Sequence, residues 1–106
     1  MVKRFEIYLV NLDDTVTDDP KNTRPALVIS PDEMNRHLEY ALIAPIASTK
    51  TRYPTRVPIN FLNSERSVIL DQIRTVETAR LVKKIGDAGR PTQTSVLAKL
   101  GEMFAE

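Results

Sequence analysis

Arg24-Pro25-Ala26-Leu27-Val28-Ile29, followed directly by Ser30-Pro31-Asp32-Glu33, is the stretch on which the fold turns. The first six residues are a short apolar run of the kind that forms a buried strand. The next four carry the serine, proline and glutamate of a capped helix start, so a brief helical turn is expected from Pro31 to Arg36.

Working outward, Arg4 to Leu12 alternates Phe5, Ile7 and Leu9 with Glu6, Tyr8 and Val10, the period of a strand. Between the two strands, Asp13 to Thr23 is polar, contains Pro20 and shows no apolar period, so it reads as a long loop of the kind that often carries function. Tyr40 to Ile46 is apolar enough for a central strand that finishes at Pro45, where a ladder donor is missing. A hydroxyl-rich basic loop, Ala47 to Pro54, follows. Thr55 to Ile59 and Ser67 to Thr75 are expected as strands around a turn at Asn63-Ser64-Glu65, and Leu81 to Ile85 as a last short strand. After Gly86 and Gly89, Pro91-Thr92 opens a helix whose stripe is Val96, Leu97, Leu100, Met103 and Phe104. Many short strands, one terminal helix and no alternation of strand with helix indicate a mainly β chain, either a small barrel or a curled sheet.

The chain has 106 residues, room for a single domain and too few for two that each bury a useful core. It contains no cysteine, which excludes disulfides, cysteine zinc sites and thiol catalysis. No signal peptide or membrane span is legible at the basic N-terminus, so a soluble, cytoplasmic protein is expected. With 15 basic against 14 acidic residues the net charge is +1, and any grip on nucleic acid must come from a local patch.

Four short motifs stand in order along the chain: Arg24-Pro25, Ser30-Pro31 with Asn35, Pro45-Ile46-Ala47-Ser48-Thr49, and Asp71-Gln72-Ile73-Arg74-Thr75. In this order, and over nearly the whole length, the chain resembles the MazF/PemK toxins of type II toxin-antitoxin systems. The resemblance implies an SH3-like β-barrel with a C-terminal helix and a homodimer. It also implies a MazE-like antitoxin whose tail fills the substrate groove, and cleavage of single-stranded RNA that needs no metal or other cofactor. In such cleavage the ribose 2′-hydroxyl attacks the adjacent phosphate and leaves a 2′,3′-cyclic phosphate and a 5′-hydroxyl. One proton must be removed, one supplied, and the charge of the phosphorane stabilised.

Arg24 matches the family's active-site arginine, and its planar donors suit a phosphorane that gains charge on its equatorial oxygens. A guanidinium gives up its proton only reluctantly, so Arg24 is an electrostatic stabiliser and a poor base. The family places a threonine hydroxyl two residues after the proline of the third motif, where this chain has Ala47. Ser48 is expected to replace that hydroxyl, with the loop turned by one residue. Asp19 matches the acidic residue that some members carry in the first loop. Thr49, Arg52, Tyr53, Asp71, Gln72 and Arg74 are expected to bind RNA, since phosphate pairing with base stacking is how single strands are held. The alternative reading is a barrel that binds RNA or antitoxin without cutting, and Ala47 is the residue that separates the two. His37 is expected at the surface. Asp13, Asp14, Asp18 and Asp19 lack the spacing of a calcium loop, and no metal site is expected.

Overall fold

The computed structural model describes residues 1–11, 23–48 and 53–105. These residues form strands β1 (Glu6–Asn11), β2 (Thr23–Val28), β3 (Tyr40–Ala47), β4 (Arg56–Phe61), β5 (Ser64–Ile69), β6 (Arg74–Glu77) and β7 (Leu81–Asp87), with helices α1 (Asp32–His37) and α2 (Arg90–Phe104). Two single 3-10 turns, Leu70–Gln72 and Thr78–Arg80, flank β6. Neighbouring strands run β4-β5-β3-β2-β1-β7, with β6 also paired to β3. Every pairing is antiparallel. Only a three-residue turn joins β6 to β7, strands that lie at opposite ends of the β6-β3-β2-β1-β7 row, and this connection curls the sheet into a half-barrel.

The pivot of the fold is β3. On one edge it pairs with β2, from Val28↔Ile43 to Ala26↔Pro45. On the other edge it holds β6 from Tyr40 to Ile43, then β5 at Ile46 and Ala47. Proline was expected to end this strand, but Pro45 lies inside it. There it occupies the gap in which β6 has left one edge and β5 has not yet begun, and its missing N–H need not break a continuous ladder. The β2 pairing also stops at this level, so β3 forks away from the start of β2.

Side-chain alternation divides the apolar residues into two cores. The larger contains Ile7, Leu27, Ala44, Ile46, Val57, Ile59, Phe61, Val68, Leu70 and Val96, with Leu100 and Met103 of α2 packed against it. The smaller, on the opposite face of the curled sheet, contains Val10, Ala26, Val28, Ile43 and Val76. At about 25 cal/mol per Å² of apolar surface, burying side chains such as Leu27 and Ile43 is the main driving force for this arrangement.

Ser30 does not cap α1, whose cap position is Pro31 with no side-chain cap hydrogen bond. Its fully buried hydroxyl instead donates to Asn35 Oδ1 and accepts from the Leu42 N–H at 3.1 Å, while Asn35 Nδ2 donates to the Ser30 carbonyl at 3.0 Å. The serine and asparagine of the second motif thus tie α1 to β3. The β4–β5 turn falls at Leu62 and Asn63, both with positive φ (54° and 58°), rather than at Asn63 to Glu65. Two successive left-handed residues match the twist of a two-residue hairpin. The Ser67 to Thr75 segment is two strands, because the 3-10 turn at Leu70–Gln72 separates β5 from β6. In α2 the expected stripe splits: Val96 is buried, but Leu97 and Phe104 face outward.

Candidate nucleic-acid interface

Arg24 sits at the fork. Its register partner on β1 is Val10, and it follows the alternation of Ala26 and Val28, so it belongs to the face of the smaller core. Unlike them it lies at the strand's open end and is exposed. Its Nη1 donates to the Thr23 carbonyl at 2.9 Å, which leans the guanidinium back along β2. On β3 the same face carries Ile43, Pro45 and Ala47. Across the next ladder Ala47 stands opposite Ser67, and Ser67 opposite Pro58. Arg74 pairs with Ile43 and therefore shares this face as well.

A second group lies where β4 begins. The Arg56 guanidinium is 4.6 Å from the centre of the Tyr53 ring, and its Nε lies 3.4 Å from Asp71 Oδ1. That oxygen also accepts from the Thr55 hydroxyl at 3.0 Å, and the Leu70 N–H donates to the Thr55 carbonyl at 3.2 Å. Desolvation pushes the Asp71 carboxyl up, but the hydrogen bonds from Thr55 and Arg56 outweigh it and hold the group below the usual aspartate value. Arg56 pairs with Ile69 and alternates with Pro58, which puts it on the same face as Ser67 and Ala47. Tyr53 is about half exposed, so one face of a ring braced by a cation is open to a stacking partner.

The residues singled out in the sequence are distributed as follows. Arg24, Arg74 and the Tyr53 and Asp71 pair gather on or beside one face. Asp71 and Gln72 are in the 3-10 turn and not in a strand, and both are exposed. Ser48 is exposed one residue beyond β3. Continued alternation would turn it to the side of Ala44 and Ile46, away from Arg24's face. Asp19, Thr49 and Arg52 lie outside the described residues, as do Asp13, Asp14 and Asp18. His37 is exposed on α1. Among the described residues no group of three His, Cys, Asp or Glu side chains is placed to hold a metal ion, and no helix is long and apolar enough to cross a membrane.

The contacts that three further residues make around this face were not legible in the sequence. Thr55 and Arg56 bind Asp71 over fifteen or more positions of chain, and Arg80 Nη1 donates to the Asn11 carbonyl at 3.3 Å, at the root of β1 where Asn11 pairs with Thr23. No spacing rule connects such residues, because only strand order brings them together. At the other end of β3, the depression lined by Glu39, Tyr40, Glu77, Thr78 and Ala79 carries two carboxylates and no basic group, the wrong sign for a phosphate.

Comparison with known proteins bears on the family and the fold. Residues 3–104 match a family model described as PemK-like, MazF-like toxin of type II toxin-antitoxin system. A curated relative, Endoribonuclease EndoA of Bacillus subtilis (strain 168), is 34% identical over 91 residues, covering 80% of this chain and 78% of the relative. Among solved structures, an endoribonuclease in complex with its cognate antitoxin from Mycobacterial species superposes with a TM-score of 0.81 at 20% identity, over 96% of this chain and 93% of that one. The MazE-MazF complex (Form-II) from Deinococcus radiodurans gives 0.79 at 23% identity, over 98% and 95%. At those identities the structures attest the fold.

Proposed function

Because the chain belongs to the PemK-like, MazF-like toxin family of type II toxin-antitoxin systems, we propose that it cuts single-stranded RNA at the fork between β2 and β3. The reaction is an in-line transfer in which the 2′-oxygen bonds to phosphorus and the P–O5′ bond breaks. The 2′-hydroxyl gives up its proton and the departing 5′-oxygen gains one. The products are a 2′,3′-cyclic phosphate and a 5′-hydroxyl. This attack is open only to RNA, because DNA lacks the 2′-hydroxyl.

The observation that carries the reading is the position of Arg24: an exposed guanidinium at the open end of β2, on the same face as Ala47 of β3 and Ser67 of β5. There it stabilises charge developing on the equatorial oxygens. Asp19 is the carboxylate offered for proton transfer. The lost threonine hydroxyl has to come from a nearby serine, with Ser48 the nearest in sequence. Tyr53 stacks a base, Arg74, Arg52 and Thr49 meet phosphates, and Asp71 and Gln72 meet base edges. The chain acts as one domain, in the cytoplasm, as a homodimer. A MazE-like antitoxin with an acidic segment blocks the same basic face. Two relatives in the comparison were themselves solved as toxin-antitoxin complexes.

The test is incubation of purified protein with single-stranded RNA in excess chelator, followed by mapping of fragment ends. Cleavage leaving 5′-hydroxyl ends, abolished in Arg24→Ala, supports the enzyme. RNA bound but left whole by the native chain replaces it with the binding-module reading, to which the alanine at position 47 points.

A further inference from the structure

The alanine at position 47 removes a hydroxyl from β3, and the strand register shows where another is supplied. Ala47 is directly opposite Ser67 of β5. In an antiparallel pair, opposed residues point to the same face with their Cβ atoms about 5 Å apart. That face is Arg24's, since Arg24 alternates with Ala26, Ala26 pairs with Pro45, and Pro45 alternates with Ala47. Ser48, by contrast, shares the alternation of Ala44 and Ile46, which belong to the larger core. To reach the same phosphate it would have to leave the alternation of its own strand.

Two further observations favour Ser67. Its neighbours fix its direction: Val68, the next residue, is fully buried in the larger core, so Ser67 points away from it, and Pro58, opposite Ser67 on β4, is exposed. Among the described residues no hydrogen bond engages the Ser67 hydroxyl, which is only partly buried. A small polar side chain in mid-strand, unengaged and opposite an alanine, has a hydroxyl to offer on this face.

Resting on the ribonuclease reading above, we propose that Ser67 is a catalytic residue of this chain, and that its hydroxyl donates a hydrogen bond to a non-bridging oxygen of the scissile phosphate in place of the threonine absent from position 47. Ser67 forms no covalent bond and transfers no proton. It adds one donor on the face that carries the Arg24 guanidinium, and losing one such donor costs on the order of 10² to 10³ in kcat. On this assignment the hydroxyl comes from the strand facing Ala47, on the same face.

The experiment compares Ser67→Ala, Ser48→Ala, Arg24→Ala, Ala47→Thr and the double variant Ala47→Thr/Ser67→Ala in single-turnover cleavage of one RNA. Binding of the same oligomer with 2′-deoxy substitution at the cut site is measured alongside. The expected result is a fall of about a hundredfold in rate for Ser67→Ala with binding of the uncleavable oligomer unchanged. Ser67→Ala should lose more rate than Ser48→Ala, and the double variant should recover most of the lost rate. Rescue by a hydroxyl on the facing strand is a result that a structural role for Ser67 would not produce. If the native chain cuts, Arg24→Ala does not, and Ser67→Ala cuts at the native rate, this assignment falls while the ribonuclease reading stands. If the native chain cuts no RNA at all, both fall.

Discussion

Glu6 of β1 and Lys84 of β7 are joined at 2.8 Å, carboxylate oxygen to ammonium, across the ladder that holds the seventh strand to the first. The same carboxylate accepts the Lys3 N–H at 2.6 Å, and Lys84 reaches on to Asp87 at 3.3 Å. Burial pushes the Glu6 carboxyl up, but the Lys84 hydrogen bond and charge, with the Lys3 N–H, bring it below its ordinary value of 4.5.

A pH dependence follows from that depressed carboxyl. A group that is more acidic when folded contributes stability above its unfolded pKa and loses it as pH falls through the folded value. The thermal midpoint of the native chain should therefore drop as pH falls below about 4.5. In Glu6→Gln the midpoint at pH 7 should be lower and its fall below pH 4.5 shallower. Scanning calorimetry from pH 3 to 7 checks this, and parallel curves for the two proteins would refute it. At the alkaline end the Lys84 ammonium is raised by the Glu6 and Asp87 hydrogen bonds. Its contribution is present below its ordinary value of 10.5 and disappears as pH rises beyond it.

The buried pair of Ser30 and Asn35 should be costly to break. In Ser30→Ala the Leu42 N–H loses its acceptor and Asn35 Oδ1 loses its donor. An unsatisfied buried group costs about 1 to 3 kcal/mol. For a chain near this length each kcal/mol moves the midpoint by roughly 4 to 8 °C. Chemical denaturation of Ser30→Ala with an unchanged stability would mean that water takes over these bonds.

Leu27 is a simpler case, with none of its surface exposed and a place in the larger core. Leu27→Ala should cost about 2 to 5 kcal/mol, the transfer of the lost atoms plus the cavity left behind. Urea denaturation measures this directly, and a cost below about 1 kcal/mol would show that the larger core collapses around the gap.

For RNA binding, Tyr53→Ala should weaken the uncleavable oligomer by roughly 5- to 150-fold, the range for one lost base stack. Arg74→Ala should instead weaken all sequences alike and reduce the salt slope by about one charge. Titration at two salt concentrations separates the two effects. Asp71→Asn frees Arg56 from its ion pair and should strengthen non-specific binding while loosening the Tyr53 ring.

Local pattern alone determined a good deal about this protein. Period-two alternation in Glu6 to Val10, the apolar run from Ala26 to Ile29 and the helical stripe after Gly89 placed β1, β2 and α2 because each depends on residues within a few positions of one another. The four ordered motifs identified the family, and the match over residues 3–104 bears that out. Where pattern failed, neighbours in space decided. Pro45 reads as a strand end until β3 is seen to exchange partners beside it, and Ser67 to Thr75 reads as one strand although a turn must carry β5 over to β6. The site shows the division most clearly. Arg24 was legible because its motif is local, whereas the pairing of Ala47 with Ser67 joins residues twenty apart and exists only because β5 docks on β3. Facing direction follows register, and register is set by which strands pair, a property of the folded sheet and not of any short stretch of chain.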